Sequence, residues 1–383
     1  MENTRLNTRI TVPVIALSLY AIASGYLMSS IPLMLPAYGL NSELASWLAS
    51  AFYAGLLVGT IAIERFVGHF GHKQAFVICL SVFIASILIL PILPIDEIWL
   101  VARLVAGISV AGIFVIVESW LLVGDESQRA KRLGIYMCAL YGGTAFGQLG
   151  IGYLGIEGGV PFIAMFTLLF GAVIVLIFGN ATSPELSHSA SLSFKQIMKL
   201  NHSALIGCIV SGLTLGAIYG LMPIELSNRQ VMQESIGGLM ALIVLGGMVV
   251  QPIVPWLSKY IGHTLLMALF CLLGVAAIGL IALVGEFQVL AISLFLLGMA
   301  TFALYPIAIN LGCNKIDLQY LVSVTQVMLF CYSIGSVAGP LIASTFMNSS
   351  AGLLNYLFVF LLATTIYMLI ASLKRSSLQV AGE

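Results

Sequence analysis

Charged residues are scarce in this chain of 383 residues. Asp, Glu, Lys and Arg together make up 8% of it, whereas hydrophobic residues make up 60%. A soluble domain carries about 25% charged residues, so this composition excludes an ordinary soluble domain. The mean hydropathy of +1.10 indicates an integral membrane protein instead.

Several chemistry-bearing patterns are also missing from the sequence. The six cysteines form no CxxC pair, which argues against a disulfide framework or a cysteine metal site. No G-x-x-x-x-G-K-[ST] loop is present, which argues against ATP-driven chemistry. Acids and histidines do not cluster at nucleophile or metal-ligand spacing. The pair His69 and His72 comes nearest, but it falls in a predicted loop. We therefore expect no enzyme, no cofactor and no metal.

Hydrophobic runs long enough to cross a bilayer are abundant. Since about 20 apolar residues span the hydrocarbon core, the runs and their breakers predict twelve membrane helices. A polar stretch separates two groups of six, so we expect an N-terminal bundle at 1–180, a linker at 181–201 and a C-terminal bundle at 202–383. Within the linker, residues 194–200 are compatible with a short amphipathic helix. The predicted helices are 11–36, 44–62, 74–92, 98–122, 133–155, 161–179, 203–226, 235–255, 264–285, 289–310, 321–346 and 353–373.

The basic residues are sorted to one side of these twelve spans. Of the 15 Lys and Arg residues, 13 fall in loops or termini on the same side, Arg229 falls on the other, and Arg103 is inside a span. The positive-inside rule then places both termini and the central loop in the cytoplasm. The 13 are Arg5, Arg9, Arg65, Lys73, Arg129, Lys131, Arg132, Lys195, Lys199, Lys259, Lys315, Lys374 and Arg375.

The two halves repeat each other at an offset of 191 residues. The register aligns glycines with glycines, and it also aligns less common residues. Two pseudo-symmetric six-helix bundles, each built from inverted three-helix units, are typical of transporters that alternate about a midplane site. The matched positions are Gly25 with Gly216, Pro32 with Pro223, Gly55 with Gly246, Gly71-His72 with Gly262-His263, Gly107 with Gly298, and Tyr141 with Tyr332.

The fourth predicted helix contains two charged residues, Arg103 and Glu118. A charge at the bilayer centre costs at least about 2.5–3.5 kcal/mol, so charged residues within membrane spans usually have a function. Arg103 can alternatively snorkel outward towards Asp96 and Glu97. Glu118 can alternatively be an interface carboxylate paired with the basic cluster at 129–132. We predict that Glu118 and Arg103 carry proton coupling.

Further polar and aromatic side chains within the spans outline a candidate cavity. Aromatic and small polar groups suit a moderately apolar organic molecule that a few polar atoms orient, although they are also common in packing. Glu43 and Glu225, at outer helix ends, are the alternative coupling residues. The predicted substrate-binding residues are Tyr26, Tyr141, Gln148, Tyr219, Gln251, Tyr305, Gln326 and Tyr332.

The chain resembles the major facilitator superfamily over essentially its whole length. The family's fourth-helix motif R-x-x-x-G is present as Arg103 and Gly107, with Ala106 in the usual Gln place. Its fifth-helix glycine motif is present as Gly143-x-x-x-Gly147 without its Pro. The clearer symmetry mate is Gly335-x-x-x-Gly339-Pro340. Segments such as VESWLL and ALYPIAIN resemble the YcaD-like branch of bacterial carriers. The resemblance implies an all-α fold with 12 transmembrane helices in two bundles, and links the arginine to proton relay.

The family's loop after the second helix, G-x-L-A-D-R-x-G-R-K, is altered here. Gly71 and Gly262 keep the late glycine in the two copies, but Gly68 and Lys259 replace the Asp. In the family that Asp latches the outward-facing state, so the inner gate is expected to depend on other contacts, for example at Glu64 or the 129–132 cluster. The predicted gate residues are Glu64, Gly68, Gly71, Lys259 and Gly262.

These observations together predict a secondary active transporter in the bacterial inner membrane. We expect proton-coupled, alternating-access movement of a small organic molecule, with export favoured. Uptake of a metabolite or siderophore is the alternative, and a membrane-embedded enzyme or a sensor is a more distant one. The expected partners are the small-molecule substrate, protons and membrane lipid; we expect no nucleic acid, and a monomer.

Overall fold

The computed structural model describes residues 2–122, 126–179, 201–314, 321–347 and 352–380. The predicted amphipathic helix at 194–200 and nearly all of the predicted linker lie outside these residues. The described part of the chain is helical, with short turns between the helices and no strand. It forms an all-α membrane protein, as the composition predicts.

The helices are long, as membrane-spanning segments require. They are α1 (Glu2–Met34), α2 (Leu44–Ile92), α3 (Asp96–Leu122), α4 (Glu126–Met137), α5 (Gly143–Leu154), α6 (Val160–Phe178), α7 (His202–Asn228), α8 (Gln233–Leu257), α9 (His263–Leu283), α10 (Phe287–Cys313), α11 (Leu321–Met347) and α12 (Gly352–Val380). A short 3-10 helix, Leu35–Tyr38, follows α1.

Eleven stretches of the described residues are long and apolar enough to cross a membrane. Two of them, Leu44–Ile63 and Arg65–Ile92, lie in the single long element α2. A loop was expected between these spans, but the structure has two helices that meet directly at Gly71, which has φ 74° and ψ 160°. Because this left-handed conformation favours glycine, Gly71 allows the chain to turn between the two spans.

The fifth predicted span, at 133–155, is the one absent from these eleven and is present as an interrupted helix. It consists of α4 and α5 joined by a π-helical segment, Cys138–Gly142. A π-helical turn inserts one extra residue per hydrogen-bonded ring, and such turns frequently occur at functional sites. Tyr141, a predicted substrate-binding residue, lies within this segment.

Contacts between Cα atoms divide the chain into two compact units. The first comprises residues up to 187 together with Tyr219–Ala241, and the second comprises residues 188–218 and Leu242–Glu383. The end of α7 and the start of α8 thus belong to the first unit. The predicted boundaries at 180 and 202 stay a prediction.

Paired glycines let two helices touch in the first unit. A Cβ atom on Gly107 of α3 would lie 1.9 Å from the carbonyl oxygen of Phe52, and one on Gly55 of α2 would lie 2.0 Å from that of Leu104. Small residues permit such close approach between membrane helices. The backbones of α2 and α3 are therefore in direct contact at these points.

The same pair of contacts recurs in the second unit. A Cβ atom on Gly298 of α10 would lie 2.1 Å from the carbonyl oxygen of Ile243, and one on Gly246 of α8 would lie 2.2 Å from that of Phe295. All four positions equal those of the first unit plus 191. The internal repeat read from the sequence is therefore also a repeat of helix contacts.

The helix pairs α1–α5 and α7–α11 repeat with a shift of one residue: Ile22 and Leu213 are 191 residues apart, but Gly147 and Gly339 are 192 apart. A Cβ atom on Gly147 would lie 2.0 Å from the carbonyl oxygen of Ile22, and one on Gly339 would lie 2.4 Å from that of Leu213. A Cβ atom on Gly335 would lie 2.1 Å from the carbonyl oxygen of Ile209. The fifth-helix glycine motif and its mate therefore join α1 to α5 and α7 to α11.

The glycine contacts predict the effect of a single added methyl group. Gly107→Ala and Gly298→Ala should each destabilise the protein by about 1–3 kcal/mol, because the methyl group would overlap a neighbouring backbone. Gly279→Ala on α9 is the control, because its Cβ position has open space around it. There the higher helix propensity of Ala should leave stability unchanged or raised. Thermal unfolding in detergent measures the difference. Equal midpoints for the three variants would contradict the packing argument.

Candidate functional site

Arg103 extends into the interior of the first unit. Its Cζ atom lies 4.3 Å from the centre of the Phe52 ring, and the phenols of Tyr53 and Tyr20 lie close enough to interact with it electrostatically. The contact between Gly107 and Phe52 produces this geometry, because it brings α2 against α3 one helical turn from Arg103. The fourth-helix motif thus places an aromatic ring beneath the guanidinium.

The guanidinium of Arg103 has few polar contacts. Its Nε atom is buried without a hydrogen-bond partner. Among the described residues no carboxylate forms an ion pair with it, and Asp96 and Glu97 are exposed in the first turn of α3. A cation–π contact contributes about 0.5–2 kcal/mol, which is less than the cost of at least about 2.5–3.5 kcal/mol for a charge at bilayer depth. The positive charge is therefore only partly compensated.

A small pocket adjoins Arg103 in the first unit. Its volume of about 20 Å³ is enough for roughly one water molecule. The walls are mainly apolar, and the polar groups in them are the guanidinium and two phenols. The residues that line it are Met28, Ile31, Pro32, Ala45, Leu48, Ala49, Phe52, Tyr53, Arg103, Tyr219 and Gly220.

Glu118 lies on the same helix, about 22 Å from Arg103 along its axis. The side chain is exposed, although it belongs to the candidate span Asp96–Trp120. The hydroxyl group of Tyr136 on α4 donates a hydrogen bond of 2.9 Å to its Oε1 atom. The two ionisable residues predicted from the sequence therefore occupy different surroundings and do not contact each other.

His72 lies against Ser119 and Trp120 of α3, which the sequence did not predict. Its Nε2 atom is 3.0 Å from Oγ of Ser119, and its ring lies 5.9 Å from that of Trp120. Only 2% of His72 is exposed, and the histidine lies directly after the turn at Gly71, at the start of the second helix within α2. His69 remains exposed. The described residues contain no group of three or more possible metal ligands.

Tyr26 and Gln148 are buried in the first unit. The hydroxyl group of Tyr26 donates a hydrogen bond to the carbonyl oxygen of Gly155, at the end of α5. Gln148 is fully buried, and neither atom of its amide group has a partner in the described part of the chain. The hydroxyl group of Ser29 on α1 is likewise buried without a partner. Since buried polar groups nearly always have partners, these atoms are available to water or ligand.

The other predicted cavity residues fall in the two units as follows. Tyr219 lines the pocket beside Arg103. In the second unit, the rings of Tyr305 and Tyr332 lie 5.0 Å apart, and the amide nitrogen of Gln251 donates a hydrogen bond of 3.1 Å to the carbonyl oxygen of Gly247. Gln326 is exposed. The structure therefore brings together Tyr219 with Arg103, and Tyr305 with Tyr332.

The predicted gate residues are mostly at the surface. Gly68, Lys259 and Gly262 are exposed, and Gly71 provides the turn within α2. The position of the Glu64 side chain lies outside the description. The role of these residues as a gate stays a prediction.

Lys73, which sequence reasoning did not single out, makes the clearest contact of this loop. Its ammonium group donates hydrogen bonds to the carbonyl oxygens of Ile177, at 3.0 Å, and Gly179, at 3.1 Å. These carbonyl groups end α6, where a cation is favourable.

Glu225 and Arg229 form an ion pair at the end of α7. Nε of Arg229 lies 2.7 Å from Oε1 of Glu225, whose side chain is 6% exposed. The spacing of four residues places both on one helix face. Glu43 is exposed at the start of α2, where its backbone N–H donates to Asn41. Of the two alternative coupling carboxylates, Glu225 thus already has a cation beside it.

Comparison with known proteins identifies the family to which this arrangement of helices belongs. The sequence pattern described as Major Facilitator Superfamily matches residues 14–340. An MFS-type transporter of Enterobacter sp. (strain 638) is 30% identical over 365 residues, which cover 94% of each chain. The chain belongs to the major facilitator superfamily. The MFS-type transporter YcaD of Escherichia coli O81 (strain ED1a) is also 30% identical, with 94% of each chain covered. The predicted YcaD-like branch is thereby confirmed.

A solved structure supports the superfamily fold independently of sequence. The crystal structure of the nucleoside transporter NupG superposes with a TM-score of 0.73 and covers 95% of this chain and 98% of the other. The two sequences are only 11% identical, so this likeness concerns the fold alone. The predicted major facilitator fold is confirmed, and the superfamily indicates a transporter rather than an enzyme.

The contact between Lys73 and α6 predicts a loss of stability on substitution. Lys73→Met should destabilise the protein by about 1–2 kcal/mol, because two carbonyl groups lose a charged donor at a helix C-terminus. Lys259→Met removes an exposed lysine in the second copy of the same loop and should have little effect. Thermal unfolding in detergent compares the two. A Lys73→Met midpoint equal to that of Lys259→Met would show that the contact contributes nothing.

Proposed function

We propose that this chain is a proton-coupled secondary transporter that moves a small organic molecule by alternating access, with export favoured over uptake. One observation carries the proposal: Arg103 and Glu118 lie on one membrane helix, and neither forms an ion pair within the described part of the chain. The guanidinium adjoins an apolar pocket, and the carboxylate is held by a phenol. Arg103 is thus suited to binding the substrate, and Glu118 to binding and releasing protons.

Substrate-binding residues are proposed in both units. The first contributes Tyr219 and Arg103 at the pocket, with the unpartnered amide of Gln148 and, at the π-helical segment, Tyr141. The second contributes the ring pair of Tyr305 and Tyr332. Aromatic walls with a few polar groups fit a moderately apolar molecule, and transporters of this architecture bind substrate near the bilayer midplane. The remaining members of the proposed set are Tyr26, Gln251 and Gln326.

Proton coupling is proposed to depend on Glu118. A carboxylate exposed on the surface of a unit, yet within a membrane span, can gain and lose protons if water reaches it from alternating sides. The ionisable groups recorded near it are phenols: Tyr136 donates to it, and Tyr20 and Tyr141 interact with Tyr136. The neutral hydroxyl of Tyr136 can hydrogen-bond both forms of the carboxyl group, which keeps Glu118 in place through the cycle.

The cellular setting follows from the charge pattern and the relatives. We propose a bacterial inner membrane location, supported by the bacterial relatives, with both termini and the central segment cytoplasmic by the positive-inside rule. The proposed bundles are 1–180 and 202–383, and the proposed working form is a monomer surrounded by lipid. Uptake of a metabolite or siderophore is the same mechanism in the opposite direction.

The role of Glu118 predicts a separation of coupling from movement. Glu118→Gln should abolish accumulation driven by a pH gradient, because the amide cannot ionise, while exchange of substrate down its own gradient continues. Glu97→Gln, which changes an exposed carboxylate on the same helix, is the matched control and should accumulate normally. The measurement uses proteoliposomes, an imposed pH gradient, and a substrate identified by screening metabolites, dyes and siderophores.

Arg103 should behave differently from Glu118 in that assay. Arg103→Ala should impair accumulation and exchange together, and Arg103→Lys should restore them only in part, since an ammonium lacks the planar fork of a guanidinium.

If Glu118→Gln accumulates substrate against its gradient as well as the parent does, Glu118 is an interface residue. Coupling then has to be sought at Glu43 or Glu225.

The altered gate motif predicts a conformational effect of restoring its acid. Gly68→Asp should shift the balance between inward- and outward-facing states, because it introduces a charge on the predicted inner side near the basic residues at 129–132. Gly68→Asn adds nearly the same volume without charge and is the control. Thiol labelling of Ser258→Cys reports access to that side. Identical labelling rates in the Asp and Asn variants would rule out a charge latch at this position.

A further inference from the structure

Arg103 provides the only charged side chain among the residues that line the pocket. We infer that this pocket binds the anionic group of the substrate, and that the substrate is a monoanionic organic molecule with an apolar body. The inference rests on the proposed transport function and specifies its substrate class. The charge, the orientation and the size of the site each support it.

The charge of the site favours a single negative charge on the ligand. One guanidinium faces the pocket, its Nε atom is buried without a hydrogen-bond partner, and no carboxylate of the described residues is paired with it. A buried charge requires pairing and hydrogen bonds. A carboxylate would supply both, whereas a dianion would bring one charge more than the pocket balances.

The orientation of Arg103 places its guanidinium at the pocket wall. Its Cζ atom lies over the Phe52 ring, 4.3 Å from the ring centre. A guanidinium carries five N–H donors, and a carboxylate that enters the pocket can accept hydrogen bonds from it. Phe52 then acts as a positioning residue that supports the guanidinium.

The size and walls of the pocket divide the ligand into two parts. A volume of about 20 Å³ admits roughly one water molecule, so it can take one oxygen atom of an anionic group, and the remainder of the ligand must extend beyond it. Around the guanidinium, Met28, Ile31 and Leu48 provide apolar contacts, and the phenols of Tyr53 and Tyr219 provide aromatic ones. A carboxylate on an aliphatic or aromatic body matches this combination.

A purely structural role for Arg103 is the competing explanation. The cation–π contact with Phe52 and the neighbouring phenols would then be its complete environment, and the pocket would show no preference between charged and neutral ligands. The two explanations differ in the charge selectivity of binding, which a pair of isosteric probes measures directly.

The test compares 4-phenylbutyrate with its uncharged amide, 4-phenylbutyramide, on the purified full-length protein. Ligand-dependent shifts of thermal unfolding yield the dissociation constants. The parent should bind the anion at least tenfold more tightly than the amide, because hydrogen bonds to a charged group have that strength. Arg103→Gln should remove this preference, and Arg103→Lys should retain only part of it. Arg65→Gln removes an exposed positive charge elsewhere and should keep the full preference.

Binding of the amide by Arg103→Gln demonstrates that the variant is folded; if it does not fold, Arg103→Lys provides the comparison. An anion that binds no better than the amide, or not at all, overturns the inference. A preference that survives in Arg103→Gln also overturns it.

Two further measurements separate related outcomes. An anionic lipid head group can pair with the guanidinium as a soluble carboxylate does, so dihexanoylphosphatidylglycerol is the second probe. If this lipid binds in an Arg103-dependent way and phenylbutyrate does not, the anion site is supported and its ligand is a lipid.

Flux of labelled phenylbutyrate in proteoliposomes tests transport itself. Arg103-dependent binding without flux would support the anion site and contradict the proposed function. Flux of a neutral substrate without charge selectivity would support the proposed function and contradict the anion site.

Discussion

The first unit is organised around a positive charge that its own side chains compensate only in part. Arg103 can occupy the interior because Gly107 and Gly55 let α2 and α3 touch, which brings Phe52 beneath the guanidinium. The ring and nearby phenols offset some of the cost of burying the charge, but no carboxylate does so among the described residues. The glycine contacts, the aromatic wall and the guanidinium at the pocket thus form one arrangement.

The same packing occurs in the second unit without the charge. Gly298 and Gly246 repeat the contacts of Gly107 and Gly55 at an offset of 191 residues, but the position that matches Arg103 is Leu294, which is fully buried. The shared packing therefore supports the helices, while the arginine gives one unit a buried charge that its mate lacks at the matching position.

Much of this fold could be predicted from the sequence, because membrane spans and backbone contacts leave direct traces in it. Apolar runs predicted the spans, and matches of Pro, His and Tyr as well as Gly in one register predicted the repeat. Local hydrogen bonding left no such trace: the π-helical segment at Cys138–Gly142 and the continuation of α2 up to Gly71 were both missed. His72, which is buried, and Lys73, which contacts α6, come directly after the turn at Gly71. The motif arginine was found, but its partner Phe52 required three-dimensional packing.

The electrostatic field of Arg103 can be measured without knowing the substrate. In a protein whose six native cysteines are replaced, Met28→Cys puts a thiol in the pocket wall, where the native residue is half-buried. The measured quantity is the rate of reaction with sulfonatoethyl methanethiosulfonate, an anion, divided by the rate with its cationic trimethylammonium analogue. The account predicts that this ratio is higher for the pocket thiol than for a free thiol in solution. Adding Arg103→Gln should return the ratio of rates to the free-thiol value. An unchanged ratio in that double variant would contradict an uncompensated charge at this site.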